Sequence, residues 1–179
     1  SNKNKKKSIV IWTTTPWTLP GNRAIAFSKD MTYQTILLKS ECEKLNLTKG
    51  EEIIFSKKLF KTFAENNNLK DFEIKEEFLG IKLIKSICKH PLEEKGFDFD
   101  VPLLPGDHVT DETGSGFVHI APSHGIDDFE LGKKFNIEIP DTVDNAGIYT
   151  KDVPFFSGIH IFKADAEVIS ILDENKNLV

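Results

Sequence analysis

Strand-like runs in this 179-residue chain outnumber helical ones by roughly two to one and do not alternate with them. Regular alternation would build a parallel sheet wound with helices. Its absence points to an α+β, mostly β, fold. Residues 8–14, 23–27, 33–39, 72–78, 80–87 and 116–121 are apolar or alternating runs bounded by turn formers, so each reads as a strand. Helices are expected at 57–66, where Leu59, Phe60 and Phe63 share a face, and at 127–135, where acidic residues open the first turn. A closing helix is expected over 165–174, because Ala164, Val168, Ile171 and Leu172 fall at i, i+4, i+7 and i+8. Three prolines make 90–105 an extended loop, and 140–158 is rich in turns. No repeat or low-complexity linker interrupts the chain. Its length suffices for one core, so the expected organisation is a lysine-rich, disordered tail at 1–7 and a single domain over 8–179. The missing initiator Met suggests a piece excised from something longer.

Charge narrows the partners. Lys+Arg is 23 against Asp+Glu 28, a net charge of -5. That excludes a nucleic-acid binder held by a broad basic face, but not one that reads a single nucleotide end in a small pocket. Arg23 is the only arginine. It marks a place where Lys will not serve, or it stands there by chance. Cys42 and Cys88 form no C-x-x-C and read as reduced thiols of a cytoplasmic protein. No apolar run approaches the ~18 residues of a membrane span, and no signal-peptide core follows the N-terminal lysines.

Two segments carry chemistry. The first is Trp12-Thr13-Thr14-Thr15-Pro16-Trp17-Thr18-Leu19-Pro20-Gly21-Asn22-Arg23. Thr13, Thr14, Thr15 and Thr18, braced by prolines, put several hydroxyls on one rigid turn, suited to a water, a carbonyl oxygen or a ribose. A threonine-rich strand end capped by a turn would look the same. The second runs from Gly114 to Glu130 and holds His119, His124, Asp127 and Asp128 at a strand-to-helix junction. Gly114-x-Gly116 lacks the Gly-Lys-[Ser/Thr] of a phosphate loop. A divalent metal on the two histidines and two aspartates matches no zinc or calcium spacing. Ser123 sits in no nucleophile elbow. A carboxylate gripping an ammonium group, with histidine as wall or hydrogen-bonding partner, is the remaining chemical reading.

Residues 13–24 resemble the threonine-rich signature of the editing domain of isoleucyl-tRNA synthetases, the connective insertion of these class I enzymes. Gly114-x-Gly116-x-Val118-His119-x-Ala121-Pro122-x-His124-Gly125-x-Asp127-Asp128 resembles the second signature of that domain. The two stand in the right order, about 100 residues apart. Pro16-Trp17-Thr18 favours the isoleucyl member, since valyl and leucyl relatives usually show Thr-Thr-Arg-Pro. Gly21 departs from the more usual Ala. The chain has no H-x-G-H and no K-M-S-K-S stretch, so it cannot activate an amino acid.

The resemblance implies a distorted β-barrel core with a few flanking helices, and chain ends that lie close together. It implies hydrolysis of valyl-tRNA(Ile) with isoleucyl-tRNA(Ile) spared. One methylene is worth only about 1–3 kcal/mol in an apolar pocket, and isoleucine against valine is the standing example of that limit. Asp128 then holds the substrate's ammonium. With a carboxyl near its ordinary pKa of ~3.9, it would position rather than abstract protons. His119, with Trp17 and the threonines, forms the wall that rejects isoleucine. Thr14, Thr15 and Thr18 hold the attacking water and the carbonyl oxygen, Thr13 lies beside them, and Asn22 meets a substrate oxygen. A ribose hydroxyl assists the water. His124 and Gly125 shape the turn beside the substrate, Asp127 faces outward or caps the helix, and Arg23 contacts a phosphate or braces the loop. Editing needs no cofactor; ATP and any zinc belong to other parts of the full enzyme. The implied partners are the aminoacylated 3′ end of tRNA(Ile), its valine moiety and the rest of the synthetase chain, with a monomeric state and no membrane. Two other readings stay open: a metal-dependent hydrolase using His119, His124, Asp127 and Asp128, and a non-enzymatic binding module for an aminoacyl or nucleotide ligand.

Overall fold

The computed structural model describes residues 7–179. Residues 1–6 of the expected tail lie outside the described residues, and Lys7 already belongs to a strand. Eight strands form two four-stranded sheets. The first has the order β1 (Lys7–Ile9), β4 (Glu52–Ser56), β3 (Thr32–Leu38), β5 (Phe72–Leu79). The second has the order β6 (Ile87–Lys89), β7 (Asp100–Pro105), β2 (Ala24–Phe27), β8 (Phe117–Ile120). Parallel pairs (β1 with β4, β2 with β7) mix with antiparallel ones. The mostly-β expectation holds, but among the described residues no closed barrel forms. The edge strands β1 and β6 have three residues each, and no ladder joins the sheets. Instead their apolar faces meet. Tyr33, Ile54 and Phe78 of the first pack against Ile25, Phe27, Leu103 and Phe117 of the second.

Helices cover what the sheets leave bare. Helix α1 (Lys57–Asn66) lays Leu59, Phe60 and Ala64 on Ile36, Leu38 and Ile53. Helix α2 (Ile126–Lys134) sets Leu131 on Ala24, Ala26 and Ile120. Helix α3 (Ile161–Glu174) buries Ala164, Val168, Ile171 and Leu172 against Leu19, Phe97, Tyr149 and Phe156. Each of the larger aliphatics contributes about 1.5–3 kcal/mol by leaving water. That burial fastens the closing helix to the threonine-rich turn, where Trp17 N–H also donates to Asp165 Oδ1 at 2.8 Å. The helix starts four residues earlier than its periodicity suggests, because the ring of His160, an unusual cap, accepts Phe162 N–H.

Several local expectations fail for identifiable reasons. Residues 80–87 are not a strand. Gly80–Leu83 is a 3-10 turn, since Gly80 lies where any Cβ would sit 2.0 Å from Ser28 O, and Lys85 then reverses the chain at φ 69°. Residues 90–105 are not simply a loop: β7 passes through Pro102 and Pro105 because Val101, Leu103 and Leu104 are buried. Strand β4 shows no alternation, as befits a strand covered on both faces. The strand expected at 8–14 stops at Ile9, and the rest becomes the approach to the site. Ile11 and Leu178, near the two described ends, pack against the same cluster, and Asn46, between Leu45 and Leu47, donates to Leu178 O.

Candidate functional site

Strand pairing brings the two chemical segments together. The first runs straight into β2 and the second begins in β8, and β2 and β8 are antiparallel neighbours, with Ala24 opposite Ile120 and Ile25 opposite His119. Arg23 N–H extends the ladder to Ile120 O at 2.8 Å. Gly114 and Gly116 lead into β8 with φ of 77° and 84°. Gly116 has a second constraint, since a Cβ there would stand 2.5 Å from that of Ser56. The glycine pair is a structural crossing point beneath the Tyr33 hydroxyl, which donates to Gly116 O.

A cleft of about 320 Å³ lies over this junction, lined by Trp12, Thr13, Thr14, His108, Thr110, Thr113, His119 and Asp128 among others. Thr13 and Thr14 come from the first segment, His119 and Asp128 from the second. Asp128 stands in the first turn of α2, half-buried, and its Oδ2 accepts Ala121 N–H at 2.8 Å. Gly125 leaves its carboxyl room, since a Cβ there would approach Asp128 Cγ to 3.3 Å. Burial pushes the Asp128 pKa up, against the downward pull of the Ala121 N–H and of nearby His108. That corrects the ordinary value expected for it. One face of the carboxylate is thus pinned by backbone and the group borders a cleft, the arrangement that holds a cation.

His119 is 7% exposed and both its ring nitrogens are occupied. Nε2 lies 3.1 Å from Thr18 Oγ1, and Nδ1 lies 3.5 Å from Asn22 Nδ2. The Thr18 hydroxyl spends its proton on Thr15 O at 2.8 Å. Its oxygen therefore accepts from His119, which makes Nε2 the protonated nitrogen and leaves Nδ1 to face the Asn22 amide. Burial, and then the charge of His124, hold the His119 pKa down to about 4. It is a neutral, fixed ring, suited to a wall.

Other expected residues stand elsewhere. Thr18 and Asn22 are buried behind His119, and Thr15 caps the 3-10 turn Pro16–Gly21, so none of the three lines the cleft. Trp17 and His124 also face away from it. Their rings meet edge-on at 4.9 Å, His124 Nε2 sits 2.6 Å from Thr142 Oγ1, and the Tyr149 hydroxyl donates to Trp17 O. Asp127 is exposed, as expected. The four-residue metal arrangement is therefore not assembled. Among the described residues, no three His, Cys, Asp or Glu side chains gather as a metal set. Arg23 braces the loop: Nη1 donates to Pro20 O and Asn22 O, the guanidinium lies 4.5 Å over Phe99, and Glu138 stands at ion-pairing distance, 3.5 Å. Trp12, His108, Thr110 and Thr113 were not among the expected site residues. Trp12 opens the first segment and could have been found there. His108 lies in a loop with no periodic signal.

No family model matches the chain. It is similar to curated sequences, however: 42% identical over 171 residues to the isoleucine–tRNA ligase of Pelagibacter ubique, covering 96% of this chain and 18% of that protein. It is 41% identical over 167 residues to the isoleucine–tRNA ligase of Gluconobacter oxydans, covering 93% and 17%. The chain thus spans less than a fifth of the length of these relatives. In fold it is similar to the P. falciparum cytosolic leucyl-tRNA synthetase editing domain, with a TM-score of 0.70 at 13% identity over 99% of this chain and 80% of that one. The P. knowlesi cytosolic leucyl-tRNA synthetase editing domain matches with a TM-score of 0.68 at 16% identity, over 97% and 83%.

Proposed function

The chain belongs to the isoleucine–tRNA ligase family, as one segment of its members' length, and we propose that it is their editing domain, hydrolysing valyl-tRNA(Ile) at the aminoacyl ester and sparing isoleucyl-tRNA(Ile). The observation that carries this reading is the cleft itself, in which Thr13 and Thr14 meet His119 and Asp128. In this reading Asp128 holds the substrate's ammonium by a charge-assisted hydrogen bond. Its position in the first turn of α2 favours the ionised form there. The fixed ring of His119 closes the side-chain pocket. Thr13 and Thr14 hold the water and the carbonyl oxygen, while Thr15, Thr18 and Asn22 act from behind by fixing His119. An aminoacyl ester is already activated, so the step asks for positioning and proton transfer.

The partners follow from the same reading: the 3′ aminoacylated end of tRNA(Ile), and the rest of a synthetase chain that carries the tRNA body. The chain's coverage of less than a fifth of its relatives' length, with Ile11 and Leu178 packed on one cluster, supports a segment of a longer enzyme. A net charge of -5 fits a domain that touches only the tip of its nucleic acid. No helix among the described residues is long and apolar enough to cross a membrane.

The test is Asp128→Ala in a full-length isoleucine–tRNA ligase carrying this segment, assayed on valyl-tRNA(Ile). Deacylation should fall by 100-fold or more, since a charge-assisted contact made at the reacting end is worth about 3 kcal/mol. Undiminished deacylation would remove Asp128 from the role.

A further inference from the structure

Three titratable side chains line the cleft: His108, His119 and Asp128. Two are already committed. Both nitrogens of His119 are engaged within the protein. Asp128 gives one oxygen to Ala121 N–H, and in the reading above the other meets the ammonium. The third is uncommitted. His108 is exposed, and among the described residues no side chain or backbone group hydrogen-bonds its ring. The backbone nonetheless sets where the ring lies. The turn closed by Val109 N–H to Gly106 O folds it back over Gly106, where a Cβ would stand 2.9 Å from His108 Cε1. Gly106 is therefore the residue that lets the imidazole lie at the cleft wall. The ring is also near enough to Asp128 to draw that carboxyl's pKa down.

We propose that His108 is a catalytic residue of this cleft, the proton acceptor for the attacking water; the proposal rests on the editing reading above. Water's oxygen bonds to the ester carbonyl carbon while one of its protons passes to the unprotonated ring nitrogen of His108. On collapse, the bond from that carbon to the ribose oxygen breaks, and the same proton goes to that oxygen. The acid and ribose hydroxyl leave, and His108 returns to its starting state. Imidazole suits the task because its charge changes nearest neutral pH. Threonine hydroxyls, the other groups at the cleft, cannot accept a proton there. The charged groups around the ring leave this assignment intact. Asp128 on α2 and His119 on β8 face the same cleft. Asp107 beside it is paired with Lys134 of α2 at 4.0 Å, and Asp111 with Lys58 of α1 at 3.0 Å.

The experiment compares wild type, His108→Gln and Gly106→Ala in a full-length isoleucine–tRNA ligase carrying this segment, with kcat and KM for valyl-tRNA(Ile) deacylation measured from pH 5 to 9. Aminoacylation, whose site lies outside this segment, serves as the control for folding. His108→Gln should lower kcat by about 100-fold or more with KM nearly unchanged, and should abolish the acidic limb of the profile. Gly106→Ala keeps the imidazole but displaces it, so kcat should fall while the acidic limb persists. A His108→Gln enzyme within about threefold of wild type, or one that is slow but keeps the acidic limb, overturns the proposal. A wild-type enzyme that does not deacylate valyl-tRNA(Ile) at all overturns the editing reading instead.

Discussion

Acid should unfold this domain through its histidines before its carboxylates. His90 is 2% exposed, stacks on Phe97 at 4.9 Å, donates from Nε2 to Leu19 O and accepts Leu92 N–H at Nδ1. Burial, reinforced by the charges of Arg23 and His119, holds its pKa down to about 3 despite the Leu19 carbonyl. His119 is held at about 4. Unfolded, both rings would titrate at their ordinary 6.5. Between pH 6.5 and about 4 the unfolded chain therefore binds protons at His90 and His119 that the native chain refuses, and burial of His124 acts in the same direction. Stability is complete above pH 6.5 and lost as the pH falls. Each group costs about 1.4 kcal/mol per pH unit, so the pair removes close to 3 kcal/mol per unit. A domain of this size has about 5–15 kcal/mol in total. Glu73, held near 2 by Lys39 and Lys75, acts in a lower window, because its stabilisation is lost only below its unfolded pKa of 4.5. The raised Asp128 acts in the opposite sense and offsets a little of the loss. Urea unfolding at pH values from 7.5 to 4 reads the slope directly. His90→Gln, which cannot titrate, should remove about half of it. A wild-type slope under about 1 kcal/mol per pH unit, or one that His90→Gln leaves unchanged, would refute the reasoning.

Two further outcomes follow from neighbouring residues. Arg23→Lys should cost about 1–2 kcal/mol of stability in thermal or urea unfolding. A lysine cannot donate to Pro20 O and Asn22 O while lying over Phe99, and its removal frees two loop carbonyls. His119→Ala should admit the cognate side chain, so that deacylation of isoleucyl-tRNA(Ile) rises toward the valyl rate; unchanged selectivity would take the wall role from His119.

The site was legible where chemistry and spacing coincide, and obscure where only tertiary contact decides. Two residue-rich signatures about 100 positions apart pointed to one site, and adjacent strands β2 and β8 are the physical reason they meet. The open sandwich was not legible, because nothing in a strand's own pattern states whether its sheet closes. Strand β7 was hidden by its prolines, and the 3-10 turn at Gly80 by a contact with Ser28 O fifty-two positions away in the chain. His108 was invisible for the same reason. A lone histidine in a loop acquires a role only from the cleft the fold brings it to, here the one it shares with Asp128.

The spread of the first signature around the cleft has a local cause. Read as a list, Thr14, Thr15, Trp17 and Thr18 all belong beside the substrate. Trp17 and Thr18 lie in the 3-10 turn Pro16–Gly21, which Thr15 precedes as its N-cap; with three residues per turn, neighbouring side chains in it point to different faces. Thr15 and Thr18 are three apart and stand together, Thr18 reaching His119. Trp17, one residue away, is rotated by about a third of a turn, toward His124, Tyr149 and the closing helix. The same short segment thus serves the cleft with Thr13 and Thr14, the wall with Thr18 and the core with Trp17. Proline at the first turn position and again at Pro20 fixes that division, because a segment free to unwind would lose the alignment of all three at once.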